Sequence, residues 1–597
     1  MHGSGHWHTS DDGLEHRHLG GFIRQHLSSL YGAARADALY DRLYSIIAGY
    51  HFPPSTSVGG VSQRDAILIT YGDQVRAPNE PPLRTLAGFT QRHLDGLIST
   101  IHILPFYPSS SDDGFSVIDY YAVDSALGTW DDVQRIGAHV DLMFDAVINH
   151  TSACSDWFQR YLKDDPAYRD WFIAVDPATD FSRVVRPRAL PLLTRFDMPG
   201  GPKHVWTTFS DDQIDLNYAN PDVLLKIIDL LLFYVSRGAR FLRLDAIAYL
   251  WKEIGTPCTH LPQTHHVIQL FRAVLDRVAP HVALITETNV PHADNIAYFG
   301  DGFNEAQLVY NFALPPLVLY SIHTADARAL SRWAASLSLP SDRTTFLNFL
   351  ASHDGIGLNP VRDILPDGAI EMLVDRAQAH GGLVSMKSNA DGTRSPYELN
   401  INYFDALNDP NAHEPIEMQV DRFMAAQAIM LALVGVPGIY AHSLLGSRGW
   451  PGGVTQTGRY RTINRQKLDR AQLERELSDP DSLRSRVFSR YARLLRARAA
   501  HPAFDPIGHQ RVLEGNTSVF AVLRRARDDS PAVLCLHNVS TQPQPCEFEL
   551  NLPLRAATDV LTGQVLSAHP GRRLAVRLAP YQVMWLSNPP AGRNLGA

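Results

Sequence analysis

Arg243 and Asp245 stand two residues apart at the end of an apolar run, residues 238–247. Alternate side chains of a β-strand share a face, so the guanidinium and the carboxylate would meet. A fixed cation beside a carboxylate lowers its pKa and keeps it ionised. An ionised carboxylate is what nucleophilic attack on carbon requires. Taken alone, the pair fits an ordinary ion pair at a strand end equally well. Other apolar runs end in the same way, however. Residues 283–286 lead into Glu287, residues 346–350 into His353 and Asp354, and residues 142–148 into Asn149 and His150. Polar groups at the ends of separate strands, with helical stretches between them, predict a parallel (β/α)8 TIM barrel with its active site on one face.

The elements that must position these groups follow from the hydrophobic pattern. Barrel strands are expected near Ile67, Ile101, Met143, Leu242, Leu284, Leu308, Leu347 and Ile439. The connection after the third strand is too long for a simple loop and predicts a lid-like insertion over about residues 151–235. A second insertion is expected after the seventh strand, over about residues 355–420. Insertions on that face would cover the active site. Residues 1–60 read as a polar tail followed by a helical extension with Ile23, Leu27, Leu30, Leu39, Leu43 and Ile46 at helical spacing. The barrel occupies residues 61–504. From residue 505 to 597 short alternating strands predict an antiparallel β domain. The apolar stretch 425–441 is broken by Gly435 and Pro437, which suits a buried helix turning into a strand rather than a membrane span.

Bulk properties narrow the function. The 597 residues are 45% hydrophobic and 19% charged, with a net charge of -8, a folded composition without the basic stripe that nucleic acid demands. Neither a nucleic-acid nor a membrane partner is expected. Cys154, Cys258, Cys535 and Cys546 show no Cys-x-x-Cys spacing, so no zinc site is expected, and so few thiols suit the reducing cytoplasm. A bridge between Cys535 and Cys546 competes with two free thiols, and the free thiols are favoured. The pairs His6/His8 and His16/His18 read as parts of the polar tail rather than metal ligands. No Gly-rich phosphate loop points to a nucleotide.

The ordered set of motifs resembles the α-amylase superfamily of glycoside hydrolases. It comprises Asp112 to Phe115, the segment ending in Asn149-His150, the segment ending in Asp245, the Ile285-Thr286-Glu287 segment and His353-Asp354. The likeness spans roughly residues 61–590. Residues 252–265, residues 68–73 and Arg186-Pro187-Arg188 with Leu190-Pro191 resemble the sucrose phosphorylase branch. Sucrose phosphorylases carry Gln after the tyrosine where this chain has Tyr397-Glu398, and a Val-His type sequence after the acid/base Glu where it has Thr288-Asn289. With residues 461–465, these departures look more like glucosylglycerate phosphorylases.

The resemblance implies a retaining phosphorylase without cofactor or metal. Its substrates would be a small glucoside, inorganic phosphate and glycerate. Sucrose phosphorolysis, α-glucosidase or transglucosidase action, and a non-catalytic scaffold remain as alternatives. Retention needs two carboxyl groups about 5 Å apart. Asp245 would be the nucleophile, with Arg243 orienting it, and Glu287 the acid/base with a raised pKa. Asp354 would bind sugar hydroxyls and stabilise the transition-state charge. His150 and His353 would donate to the same ring, and Phe115 would form an apolar wall. Asp112 and Arg461 resemble residues that grip the distal hydroxyls. Arg188 and Tyr397 resemble the phosphate site, since a planar guanidinium suits oxyanions. The acceptor carboxylate is expected to meet Arg394, Thr288, Asn289 and His292, with Glu398 on acceptor hydroxyls or paired to a cation.

Overall fold

The computed structural model describes residues 12–52, 60–389, 392–528, 530–549, 556–567 and 573–587. Eight parallel strands close into a barrel in sequence order. They are β1 (Ile67–Thr70), β2 (Thr100–Ile103), β3 (Asp141–Ala146), β4 (Ala239–Leu244), β5 (Ala283–Thr286), β6 (Leu308–Tyr310), β7 (Thr345–Asn348) and β8 (Val436–Tyr440). Ile67 pairs with Thr100 on one side and Gly438 on the other, which closes the ring. Each strand falls where the apolar runs placed it.

Alternation divides most strands between two cores. Ile67, Met143, Phe241, Ile285, Leu308 and Leu347 form one cluster, which fills the barrel. Leu142, Leu242, Leu284 and Phe346, one residue out of phase, join the larger cluster between strands and helices. Burying each such side chain contributes about 1.5–3 kcal/mol. Two residues beyond Phe241 on the interior face stands Arg243. Two residues beyond Met143 stands Asp145. The apolar plug therefore gives way to charge at the C-terminal end of the strands.

The N-terminal extension comprises α1 (Asp12–Tyr31) and α2 (Ala33–Ala48). They pack on the barrel helices α3 (Pro221–Ser236) and α4 (Pro262–Val278). Tyr31 Oη donates to the Tyr218 carbonyl at 2.8 Å and Tyr50 Oη to Asp229 at 2.7 Å. The polar-tail reading extended too far: the backbone is helical from Asp12, so His16 and His18 lie on α1, while His6 and His8 lie outside the described residues. Asn220 starts α3 by accepting the Asp222 N–H at 3.0 Å, and Pro221 follows at the first turn, where its missing N–H is harmless. Asn220→Ala should cost about 1 kcal/mol.

The connection after β3 carries a short helix, Asp156–Leu162, and two antiparallel pairs. Leu193–Phe196 pairs with Lys203–Trp206, and His150–Ser152 with Gln213–Asp215. The connection after β7 carries the hairpin Leu383–Ser388 and Arg394–Asn400. The apolar stretch near residue 430 is a buried helix, α5 (Ile416–Ala432), which turns at Gly435 into β8. Gly435 has φ +130°, and a Cβ there would lie 2.7 Å from the Phe346 carbonyl oxygen. No helix among the described residues is long and apolar enough to cross a membrane.

The C-terminal strands form antiparallel sheets. Cys535 and Cys546 lie in different sheets, and all four cysteines are free. The sheets are tied to the barrel by buried polar groups. Arg524 donates to the Ala432 carbonyl at 3.0 Å, and the Gln510 side-chain oxygen accepts the Val434 N–H at 2.8 Å. Arg498, on the helix before the sheets, donates to the Gly435 carbonyl at 3.0 Å and the Asp65 carbonyl at 3.0 Å. Both ends of the β8 entry turn are thus held by residues that follow β8 in sequence.

Candidate active site

Twelve sequence-predicted residues line one pocket at the C-terminal end of the strands: Asp112, Phe115, His150, Arg188, Asp245, Glu287, Thr288, Asn289, His353, Asp354, Tyr397 and Arg461. Arg243 and Glu398 stand directly behind it, each almost fully buried.

Arg243 is surrounded by three carboxylates. It pairs with Asp145, with Asp245 at 2.8 Å and with Glu287 at 4.0 Å. His102 Nε2 lies 2.6 Å from the far oxygen of Asp145. Burial pushes Asp145 up, but the Arg243 guanidinium, helped by the hydrogen bond to His102, overcomes it and holds the carboxyl at about 2. Asp145 therefore takes much of the Arg243 charge. This alters the expectation for Asp245, whose pKa was to be lowered. Burial raises it, Arg243 opposes, and Asp145 adds to the rise. Glu287 is pushed up to about 7, by burial first and by the Asp245 charge, against Arg243. The guanidinium is nearer to Asp245 than to Glu287, so Asp245 is the first of the two to ionise. One ionised and one protonated carboxyl in the same pocket is the pairing that double displacement needs. Glu287 is aimed by the Ala246 N–H, which donates to its Oε2 at 3.0 Å.

On the opposite wall, Asp354 pairs with Arg461, and Arg465 lies 3.8 Å away. Arg461 also makes a two-pronged pair with Glu398, Nε to Oε1 at 3.0 Å and Nη2 to Oε2 at 2.9 Å. Glu398 further accepts the Gly355 N–H. A Cβ on Gly355 would lie 2.5 Å from the Leu399 carbonyl oxygen, so the strand crossing allows only glycine. Glu398 thus pairs with a cation, and the acceptor-hydroxyl alternative is set aside because both its oxygens are committed. Arg465 also pairs with Asp113 and approaches Asp112 at 3.7 Å.

Phe115 stacks on His353, ring centroids 4.7 Å apart and planes nearly parallel, so the apolar wall is a two-ring stack. Burial and the nearby Arg465 and Arg243 hold His353 neutral, well below the usual histidine range. His150 differs from expectation. Its Nε2 lies 2.9 Å from the Phe115 carbonyl, and its Nδ1 3.3 Å from Asn149 Nδ2, so both ring nitrogens serve the protein in the free site. Arg394 is exposed on the hairpin strand, and His292 packs beside Trp333 and Phe346. Neither lines the pocket, which corrects the acceptor contacts expected of them.

The sequence reading missed Phe209, Gln213, Tyr249 and Phe312, which also line the pocket. Phe209 bridges His150 and Tyr249, with ring centroids at 5.4 and 5.5 Å. Near Asn149, the ammonium of Lys252 lies 2.6 Å from Asp215 Oδ2 and 2.9 Å from Asn149 Oδ1. The oxygens there that could face a cation already face one. Among the described residues no cluster of three or more His, Cys, Asp or Glu is placed to hold a metal ion.

The chain is similar to known proteins over most of its length. A family model described as the catalytic domain of α-amylase matches residues 85–355. The chain is 50% identical to a glucosylglycerate phosphorylase of Allomeiothermus silvanus, over 94% of this chain and 98% of that protein. It is 48% identical to the glucosylglycerate phosphorylase of Escherichia coli K12, over 88% and 92%. The fold is shared with the crystal structure of sucrose 6F-phosphate phosphorylase from Thermoanaerobacter thermosaccharolyticum, at a TM-score of 0.71 and 23% identity, covering 86% of this chain and 99% of that one.

Proposed function

Because the chain belongs to the glucosylglycerate phosphorylases of the α-amylase family, we propose that it catalyses reversible phosphorolysis of 2-O-α-glucosylglycerate. The products are α-glucose 1-phosphate and glycerate. Asp245 attacks the anomeric carbon while Glu287 protonates the departing glycerate oxygen, leaving a glucosyl ester on Asp245. Phosphate then enters beside Arg188, Tyr397 and Asn289 and displaces the ester from the opposite face. In synthesis Glu287 takes the proton of the glycerate hydroxyl instead. Two inversions preserve the α configuration. Asp354 and Arg461 hold the glucosyl hydroxyls, and the Phe115–His353 stack backs the ring.

The observation that carries this reading is the split pair, Asp245 and Glu287, in a pocket where Arg188 makes no ion pair among the described residues. A guanidinium left without a carboxylate suits an incoming oxyanion. The test is competition between glycerate and fructose for glucose 1-phosphate in one reaction. Glycerate should win. Faster transfer to fructose would return the protein to the sucrose phosphorylases, and release of free glucose alone would make it a glucosidase.

The chain then divides into an extension, residues 1–60, a barrel, 61–504, and a β domain, 505–597. Free thiols suit a reducing, cytoplasmic setting.

A further inference from the structure

Outside the catalytic pocket lies a second chamber of about 640 Å³. Tyr249, Asn289 and Tyr397 line both spaces, so they form the doorway between them. The charges of the outer chamber are unequal: among the described residues, Arg183, Arg186, Arg362 and Lys387 face a single carboxylate, Asp294. None of the four cations forms an ion pair among the described residues. Arg362 is fixed by neutral acceptors, with Nε donating to Asn359 Oδ1 at 3.3 Å and Nη2 to the Pro396 carbonyl. Lys387 is half-buried on the strand Leu383–Ser388. Burial and the neighbouring Arg362 both push its pKa down. In the inner pocket Arg461 is committed to carboxylates, and Arg188 is the lining cation without an ion pair among the described residues.

Like charges held together in a partly dry chamber repel unless an anion joins them. An ammonium beside a planar guanidinium suits the oxygens of phosphate or a carboxylate, and a neutral sugar has no use for either. Both acceptors of the proposed reaction are small oxyanions, and the competing nucleophile, water, is not. We propose that the outer chamber is an oxyanion site, in which Lys387 and Arg362 gather phosphate or the glycerate carboxylate before it passes the Tyr249–Asn289–Tyr397 doorway. The inference rests on the phosphorylase reading and adds a site to it. By raising the local concentration of the anionic acceptor, the chamber favours phosphorolysis over hydrolysis.

Lys387→Gln tests the idea, with Lys387→Arg as the rescue. The Michaelis constants for phosphate in phosphorolysis and for glycerate in synthesis are measured at low and high salt. Hydrolysis of α-glucosyl fluoride, a neutral donor, is the control. At low salt both constants should rise roughly five-fold, as expected when one of two screened cations is lost. The difference should close at high salt, kcat and the control should not change, and Lys387→Arg should restore the wild-type values. A rise for only one acceptor assigns the site to that anion. Unchanged constants for both, or an equal loss in the control, overturn the proposal. Should Lys387→Gln not fold, the salt dependence of Lys387→Arg against wild type decides instead. A chamber that gathers anions gives both a Michaelis constant that climbs with salt, and a flat profile refutes it. If glycerate proves not to be an acceptor, the substrate reading falls while the phosphate arm still decides the chamber.

Discussion

Glu398→Gln separates two roles for one buried carboxylate. Glu398 is 1% exposed and holds Arg461 through two hydrogen bonds, at 3.0 and 2.9 Å. Glutamine has the same shape and keeps one carbonyl oxygen, so the Gly355 N–H retains its acceptor. The new amide NH₂ faces an Arg461 donor, and one charge-assisted bond is lost. Such a bond contributes about 1.5–3 kcal/mol. Taking about 2 kcal/mol, the loss in kcat/KM is roughly 30-fold. Arg461 also pairs with Asp354, so the damage should fall on glucosyl binding. The natural glucoside and α-glucosyl fluoride should lose the same factor, while the Michaelis constant for phosphate stays put. Steady-state kinetics on both donors, with thermal unfolding to confirm the fold, make the measurement. Donor kinetics within twofold of wild type, together with a shifted acceptor constant, would show that Glu398 contacts the acceptor and that its placement behind Arg461 is irrelevant to catalysis.

Asp245→Asn should abolish turnover with an unchanged far-ultraviolet spectrum, because an amide cannot form the glucosyl ester. Turnover above trace contamination would remove Asp245 as the nucleophile. Glu287 must be protonated to assist departure, and its pKa is raised to about 7. Activity on the natural glucoside should therefore fall as pH rises through that value, and formation of the ester from α-glucosyl fluoride should show no such limb. Folding stability should also decline between the unfolded carboxylate pKa and that same value, since the native state binds the extra proton. Arg188→Ala should raise the Michaelis constant for phosphate about tenfold or more, the usual cost of a lost charged contact, and increase hydrolysis relative to phosphorolysis. An unaltered phosphate constant would take Arg188 out of the anion site.

The barrel was legible because each strand is an apolar run that ends in a polar group, and Asp245, Glu287 and Asp354 sit at those ends. The lid residues Phe209 and Gln213 were not, because the segment around them has no regular period. Asp145 was in view, but nothing in its own run shows that it shares Arg243 with Asp245. Only the register of β3 against β4, Asp145 opposite Arg243, brings them together. Glu398 follows the same logic. On the strand Arg394–Asn400 the pairing slips at Tyr397, with Glu398 opposite Ser385 and Pro396 opposite Met386. That irregularity breaks strict alternation where the site residues lie, and nothing in the sequence around Pro396 reveals it.

The turn into β8 is held by Arg498, Gln510 and Arg524, all of which follow it in the chain. This fixes an order of events at the ribosome. When β8 emerges, its carbonyls at Ala432 and Gly435 and the Val434 N–H have no partners yet. At about 5–20 residues per second, the β domain takes on the order of ten seconds more to follow. Until then the turn into the eighth strand lacks its clasp, although the pairing of β8 with β1 uses only their own backbones. The tail of the chain therefore finishes what the head begins: the last turn of the barrel is fully bonded only when synthesis is nearly complete. A message cut short before the β domain leaves buried backbone groups at 432, 434 and 435 without these partners.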